Sequence, residues 1–283
     1  MECFRMRIAP KKVILIATFC CHLSACSMTG GLLPANDLDS DRCQDDAISK
    51  IVNGRLVTLD EPLAKEAVLL VISKKNFEKA ICTAMPISSR ILLTAAHCVS
   101  GVDPRNIQAI FNISLKCEEG FSREKMISSE SYKIHPDYDQ TPQSKADLAL
   151  IRLQQSIPGD YPIAILYDGK SPLSNSEVHL LGFGITKETD KDSMRLRMTK
   201  KNFEKDIYIK SQLLMINQSN ETGGFCRGDS GAPVYVHVGQ RKKLIGVNSF
   251  TIGREENREC HTASAAMYIP FFTSWILRSS LEM

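Results

Sequence analysis

The sequence predicts an all-β fold, a sandwich or a barrel, on two observations. The first is a series of short apolar runs, several rich in β-branched residues, with turn residues between them: Ala67–Ile72, Ile91–Thr94, Gln108–Ile113, Ala232–Val238 and Leu244–Ser249. The second is the rarity of a helical period. It appears only near the end, where Phe271, Phe272, Trp275 and Ile276 follow Pro270 at helical spacing. Proline suits a helix start, because the N–H it lacks would be unpaired there. Trp275, the single tryptophan, is expected in the core.

The composition bounds the answer. The chain has 283 residues, 43% hydrophobic and 24% charged, which is an ordinary globular balance. That length suits one large domain or two small ones. A formal net charge of +3 is too small to point to nucleic acid as a partner. Four of the ten cysteines, Cys3, Cys20, Cys21 and Cys26, lie near the start. The others are Cys43, Cys82, Cys98, Cys117, Cys226 and Cys260, an even number that reads as three disulfides in an exported protein.

Residues 1–25 read as an export signal. Arg5, Arg7, Lys11 and Lys12 precede an apolar stretch from Val13 to Ala25, too short to span a bilayer comfortably. It ends Leu23-Ser24-Ala25-Cys26, which resembles the lipobox of bacterial lipoproteins, with His22 as a departure. Lipidation of Cys26 would hold the protein at a membrane surface in the cell envelope without a spanning helix. The other reading is plain secretion with Cys26 incidental. Residues 26–50, acidic and poor in core-forming side chains, read as a tether that is also a propeptide.

The chemistry centres on Cys226-Arg227-Gly228-Asp229-Ser230-Gly231. A serine becomes a useful nucleophile when its hydroxyl is exposed, its proton has a destination, and the oxyanion it creates meets donors. Glycines flank Ser230, and the amides of Gly228 and Ser230 are candidates for one oxyanion hole. Upstream, His97 closes Thr94-Ala95-Ala96-His97 and Asp147 opens Asp147-Leu148-Ala149-Leu150. A histidine takes the serine's proton, and a buried aspartate holds that histidine in its tautomer.

With these three motifs in the order His97, Asp147, Ser230, the chain resembles the chymotrypsin/trypsin-like serine peptidase family from Ile51 to about Leu281. The resemblance selects the barrel: two antiparallel six-stranded β-barrels and a C-terminal helix within residues 51–283, joined by a crossover near 154–172. It implies a serine endopeptidase acting on polypeptides, with no metal or organic cofactor. It also implies disulfides Cys82–Cys98 and Cys226–Cys260, which leaves Cys43 and Cys117 for each other. Lys50-Ile51-Val52-Asn53-Gly54 resembles the family's zymogen cleavage site. The freed Ile51 amine would then pair with Asp229 and order the oxyanion loop. Val178–Gly184 resembles a family strand, with Phe183 where tryptophan is usual. His135 is expected to be structural, and Lys187–Lys205 is expected to be an exposed loop.

Specificity should depend on Gly224, Phe225, Arg227, Ser249, Phe250 and Thr251. Gly224 stands where a trypsin of this family carries its aspartate, so no preference for Lys or Arg is expected. Phe225 is bulky, and Thr251 replaces a glycine at the pocket mouth. Together they suggest a shallow pocket for small apolar residues. Arg227 could instead favour acidic residues in the substrate. Such an enzyme would not cut its own Lys50–Ile51 bond, so an activating protease of trypsin-like specificity is a further expected partner. The alternative to an enzyme is a catalytically silent binding protein on the same scaffold.

Overall fold

The computed structural model describes residues 54–58, 61–74, 78–111, 126–141, 145–185, 194–219, 222–253, 260 and 262–283. The expectations for the leader, the tether, Cys26, Cys43, Cys117, Lys50 and Ile51 fall outside these residues.

The first half supplies β1 (Arg55–Leu56), β2 (Val68–Ser73), β3 (Lys79–Pro86), β4 (Ile91–Thr94), a short α1 (Ala96–Val99), β5 (Ile107–Ile110), β6 (Met126–Ile134) and β7 (Ala149–Leu153). The second supplies β8 (Glu177–Gly182), β9 (Arg197–Asn202), β10 (Ile207–Lys210), β11 (Leu213–Asn217), β12 (Pro233–Val238), β13 (Arg241–Ile252), β14 (Ala263–Tyr268) and α2 (Ile269–Glu282). Strands β2-β3-β4-β7-β6-β5 close into a barrel. The second half differs from the six-stranded barrel expected. It is an eight-stranded sheet ordered β1-β9-β8-β12-β13-β14-β11-β10. Two-residue β1 ends one side, and β10 folds back on β11 alone at the other.

Strand periodicity explains the packing, since successive side chains point to opposite faces. On β2, Val68, Leu70 and Ile72 enter the first barrel's core, while Leu69 and Val71 face outward. Those outward residues are also buried, in a cluster that joins the two halves. That cluster adds Leu93 and Leu150 from the first barrel, and Leu181, Phe183, Tyr235 and Val247 from the second. The apolar runs read as strands are therefore buried on both faces. Phe183 lies at this junction, fully buried.

One expectation is corrected. Within Lys187–Lys205, residues 197–202 form β9 rather than an exposed loop. Its register against β8 sets Arg197, Thr199 and Lys201 opposite Gly182, Leu180 and Val178. All three side chains are buried in spite of their polarity. The C-terminal helix docks on both halves. Ile269, Phe272 and Ile276 fill the junction cluster. His135, from the end of β6, packs its ring against Phe272 and Trp275 at centroid distances of 5.4 and 4.7 Å. His135 is thus structural, as expected, and Trp275 is partly buried beside it.

Candidate active site

β4 ends at Thr94, and the chain turns into α1, which carries His97. The bridge Cys82–Cys98 ties α1 to β3. Asp147 precedes β7, the antiparallel neighbour of β4. Its carboxylate meets the histidine twice. His97 N donates to Oδ1 at 2.8 Å, and His97 Nδ1 bonds Oδ2 at 2.7 Å. Asp147 is only 2% exposed, whereas the His97 side chain is 38% exposed. Burial pushes the Asp147 carboxyl upward, but its bonds and charge interaction with His97 and the Ser249 hydroxyl outweigh that and hold it below its usual range. It is a fixed carboxylate under an accessible imidazole.

Ser249 is the third part of this arrangement, through a side-chain contact beyond the substrate contact expected of its strand. A β-bulge interrupts the β13–β14 register between Asn248 and Phe250. Bulges re-aim a side chain. Here Ser249 Oγ donates to Asp147 Oδ2 at 2.5 Å, and the residue is buried. Phe250 and Thr251 stay in register with Ala265 and Ser264, half-exposed.

The Ser230 loop is pinned to the first barrel. Thr83 N donates to the Ser230 carbonyl at 2.8 Å, and Thr83 Oγ1 donates to the Gly228 carbonyl. Gly231 has φ +79°, and a Cβ there would lie 2.1 Å from Thr94 Oγ1 and 2.2 Å from the Thr83 carbonyl oxygen. Only glycine fits, and the contact sets Ser230 beside the end of the His97 strand. The amides of Asp229, Gly231 and Ala232 are spent on the carbonyls of Cys226, Asn248 and Asp229. Among the described residues, the amides of Gly228 and Ser230 bond to no backbone carbonyl. Gly228, at φ +93°, holds the left-handed turn between them.

Asp229 is fully buried. Its carboxylate accepts the Gly184 amide at 2.8 Å and the Cys226 amide at 2.9 Å. Asn248 Nδ2 donates to its carbonyl at 2.9 Å. Ile51, whose freed amine is its expected partner, and the cleavage residue Lys50 lie outside the described residues.

At the specificity region the Cys226–Cys260 bridge is present. Gly224 lies against Gln218, whose Oε1 would sit 2.1 Å from a Cβ at that position. Gln218 was not foreseen from the sequence. Its side chain donates to the Phe225 and Cys260 carbonyls at 2.9 and 2.7 Å and accepts the Phe225 amide at 3.0 Å. A signal was there: Leu214 and Ile216 point into the second core, and Gln218 continues their alternation. Phe225 is fully buried in that core with Ile216 and Ala266, so it closes space rather than lining it. Arg227 is exposed. Cys82 and Cys98 lie near His97, but their sulfurs are joined to each other and do not form a metal site.

The chain is similar to several known proteins. The chain is 26% identical over 274 residues to phenoloxidase-activating enzyme 1 of Spodoptera litura, covering 88% of this chain and 71% of that protein. It is 28% identical over 226 residues to CLIP domain-containing serine protease C9 of Anopheles gambiae, covering 69% and 58%. It is 23% identical over 188 residues to coagulation factor XI of Bos taurus, covering 62% of this chain and 30% of that one. The crystal structure of scabies mite inactivated protease paralogue S-I1 superposes with a TM-score of 0.62 at 19% identity, covering 81% of this chain and 99% of that one, which speaks to the fold alone. A model of the family described as Trypsin matches residues 64–276, and the chain belongs to that family.

Proposed function

We propose that the protein is a serine endopeptidase in which Ser230 is the nucleophile, His97 the general base and acid, and Asp147 the residue that orients His97. The observation that carries this reading is the 2.7 Å bond from His97 Nδ1 to a buried Asp147 carboxylate. With Nδ1 committed, Nε2 is the nitrogen left to take a proton. Ser230 Oγ would attack the substrate carbonyl carbon as its proton passes to Nε2. The oxyanion would be met by the Gly228 and Ser230 amides. Collapse of the tetrahedral intermediate would return that proton to the leaving amine and leave an acyl-enzyme. Water would then repeat the sequence in reverse roles.

The same proposal includes synthesis as a zymogen cut after Lys50, with the Ile51 amine pairing with buried Asp229. It includes non-tryptic specificity for small apolar residues. Gly224 in place of an acidic residue, Gln218 packed behind it and the buried Phe225 support that preference. Export is proposed from residues 1–25. Attachment of lipid at Cys26 rests on the leader alone, and the named relatives come from two insects and a mammal. A mature N-terminus at an acylated Cys26 supports the anchor, and any other N-terminus removes it.

The test treats the exported protein and its Ser230→Ala variant with trypsin. It confirms Ile51 as the new terminus, inhibits the trypsin, and adds a fluorophosphonate probe with a mixed peptide library. Labelling of the cleaved Ser230 form alone supports the enzyme and its switch. Labelling before cleavage removes the zymogen. No labelling in either form favours a silent binding protein.

A further inference from the structure

On the outer face of the second sheet, away from the nucleophile loop, three metal-ligating side chains converge. Glu177 and His179 lie two apart on β8 and so share one face. Strand β12 runs antiparallel beside β8, with Tyr235 opposite His179 and Val236 opposite Val178. Continuing that register sets His237 opposite Glu177. The alternation that sends Val178, Val234 and Val236 into the core turns Glu177, His179 and His237 outward together. One ligand atom from each lies within 4.8 Å of the others. The two imidazole rings are 4.8 Å apart between centroids. His179 Nε2 contacts Glu177 Oε1 at 2.6 Å. His179 is buried at 5% exposure, and its Nδ1 has no hydrogen-bond partner.

We propose that Glu177, His179 and His237 form a binding site for a divalent transition-metal cation of the zinc type. Two imidazoles and one carboxylate are a nitrogen-rich set that suits zinc. Calcium and magnesium prefer all-oxygen shells. Tetrahedral coordination at about 2 Å brings donor atoms to roughly 3.3 Å from one another. The present spacing closes to that by rotation of Glu177 and His237, both exposed, around the fixed ring of His179. Lys200 lies opposite His179 on β9, and its ammonium sits 3.0 Å from Glu177 Oε1. It holds the carboxylate that the metal would take, and its exposed stem lets it swing away.

The site clamps two strands that frame the nucleophile. β8 runs into Gly184, whose amide holds Asp229, and β12 starts just after Ser230. His237 is nonetheless seven residues beyond Ser230, on the order of 20 Å along an extended chain. The metal is thus a staple and not a participant in the chemistry. Binding to the folded state alone raises stability with metal concentration.

The experiment uses full-length protein without a polyhistidine tag, stripped with a chelator. Zinc chloride is titrated by calorimetry and by thermal unfolding. The expected result is one zinc per chain and a rise in Tm that calcium and magnesium do not reproduce. His237→Gln and Glu177→Gln alter exposed side chains. Each should weaken zinc binding about tenfold or more while leaving the metal-free Tm unchanged. Lys200→Met should tighten it. A His97→Ala background removes another exposed imidazole of the described residues as a source of signal. Equal zinc affinity in the parent and in the His237→Gln/Glu177→Gln double variant overturns the assignment. So does an absence of zinc binding by the parent at millimolar metal.

Discussion

The two halves of this molecule solve the same packing problem with different materials. The closed barrel fills its core with Val68, Leu70, Ile72, Leu92, Ile151 and Leu153. The eight-stranded sheet turns Arg197, Thr199 and Lys201 of β9 inward and buries Gln218 and Asn248 as well. Among the described residues, the buried side-chain atoms His179 Nδ1, Asn248 Oδ1 and Ser264 Oγ, which have no hydrogen-bond partner, lie in the second half. Apolar contact is non-directional and tolerant of sequence, whereas a buried polar group needs a specific partner. The first barrel is thus an apolar frame that holds His97 and Asp147. The second supplies the Ser230 loop and the region where specificity is proposed to be set.

The sharpest way to break this comparison is to ask whether the halves act as one catalytic unit. His97→Ala, in the first, and Ser230→Ala, in the second, should each lower kcat on the order of 10⁶-fold. The double variant should lose no more than either alone, because neither group works without the other. Losses that multiply would mean two independent contributions and would sink the single-site reading.

The next effect is on stability. Leu92→Ala empties part of the apolar core and should cost about 2–5 kcal/mol, measured by urea unfolding. A value under about 1 kcal/mol would mean that the apolar core does not hold the first barrel together as its burial implies.

The same contrast explains what could be read from the sequence. The apolar runs at Ile91–Thr94 and Ala67–Ile72 gave their strands nearly to the residue, because apolar β-branched stretches bounded by turns have few other homes. Motif order proposed His97, Asp147 and Ser230 as one site, and the structure joins His97 to Asp147 by a hydrogen bond. Three things were hidden. Residues 197–202 look like a solvated loop because three of six are basic, yet pairing to β8 buries two of these. The role of Ser249 depends on a bulge, which a run of residues does not announce. Gln218 matters through partners far from it in the chain, Cys260 among them.

Lys201 offers a milder test, with the opposite sign to Leu92. Its side chain is buried, and its ammonium donates to the Asn217 carbonyl at 2.9 Å. Burial lowers its pKa from the usual 10.5 to about 8, with Asp206 opposing. Below pH 8 the ammonium is charged in both the folded and the unfolded chain, and the folded state bears the cost of burying it. Between about 8 and 10.5 the folded state sheds the proton first, so the unfolded state binds more protons and stability from this group rises with pH. Lys201→Met should therefore stabilise the protein by about 1–2 kcal/mol at pH 7. That gain should shrink as pH rises through this window. A destabilising Lys201→Met, or a gain that does not change with pH, would show that the lysine is well solvated.

The effect most local to the pocket concerns Gln218, which braces Phe225 to Cys260 behind Gly224. Gln218→Ala removes that brace and opens space where the substrate side chain is proposed to enter. One added methylene in an apolar pocket shifts selectivity by roughly 10–200-fold. The variant should accordingly raise kcat/KM for leucine relative to alanine at the cleaved position by about tenfold. It should also lose about 1–3 kcal/mol of stability, because the Phe225 amide and two carbonyls are left unpaired. Gln218→Glu separates the two effects. It keeps the volume and the acceptor but loses the donor, so stability should fall while selectivity holds. A selectivity change as large in Gln218→Glu as in Gln218→Ala would mean that hydrogen bonding, not space, sets the pocket.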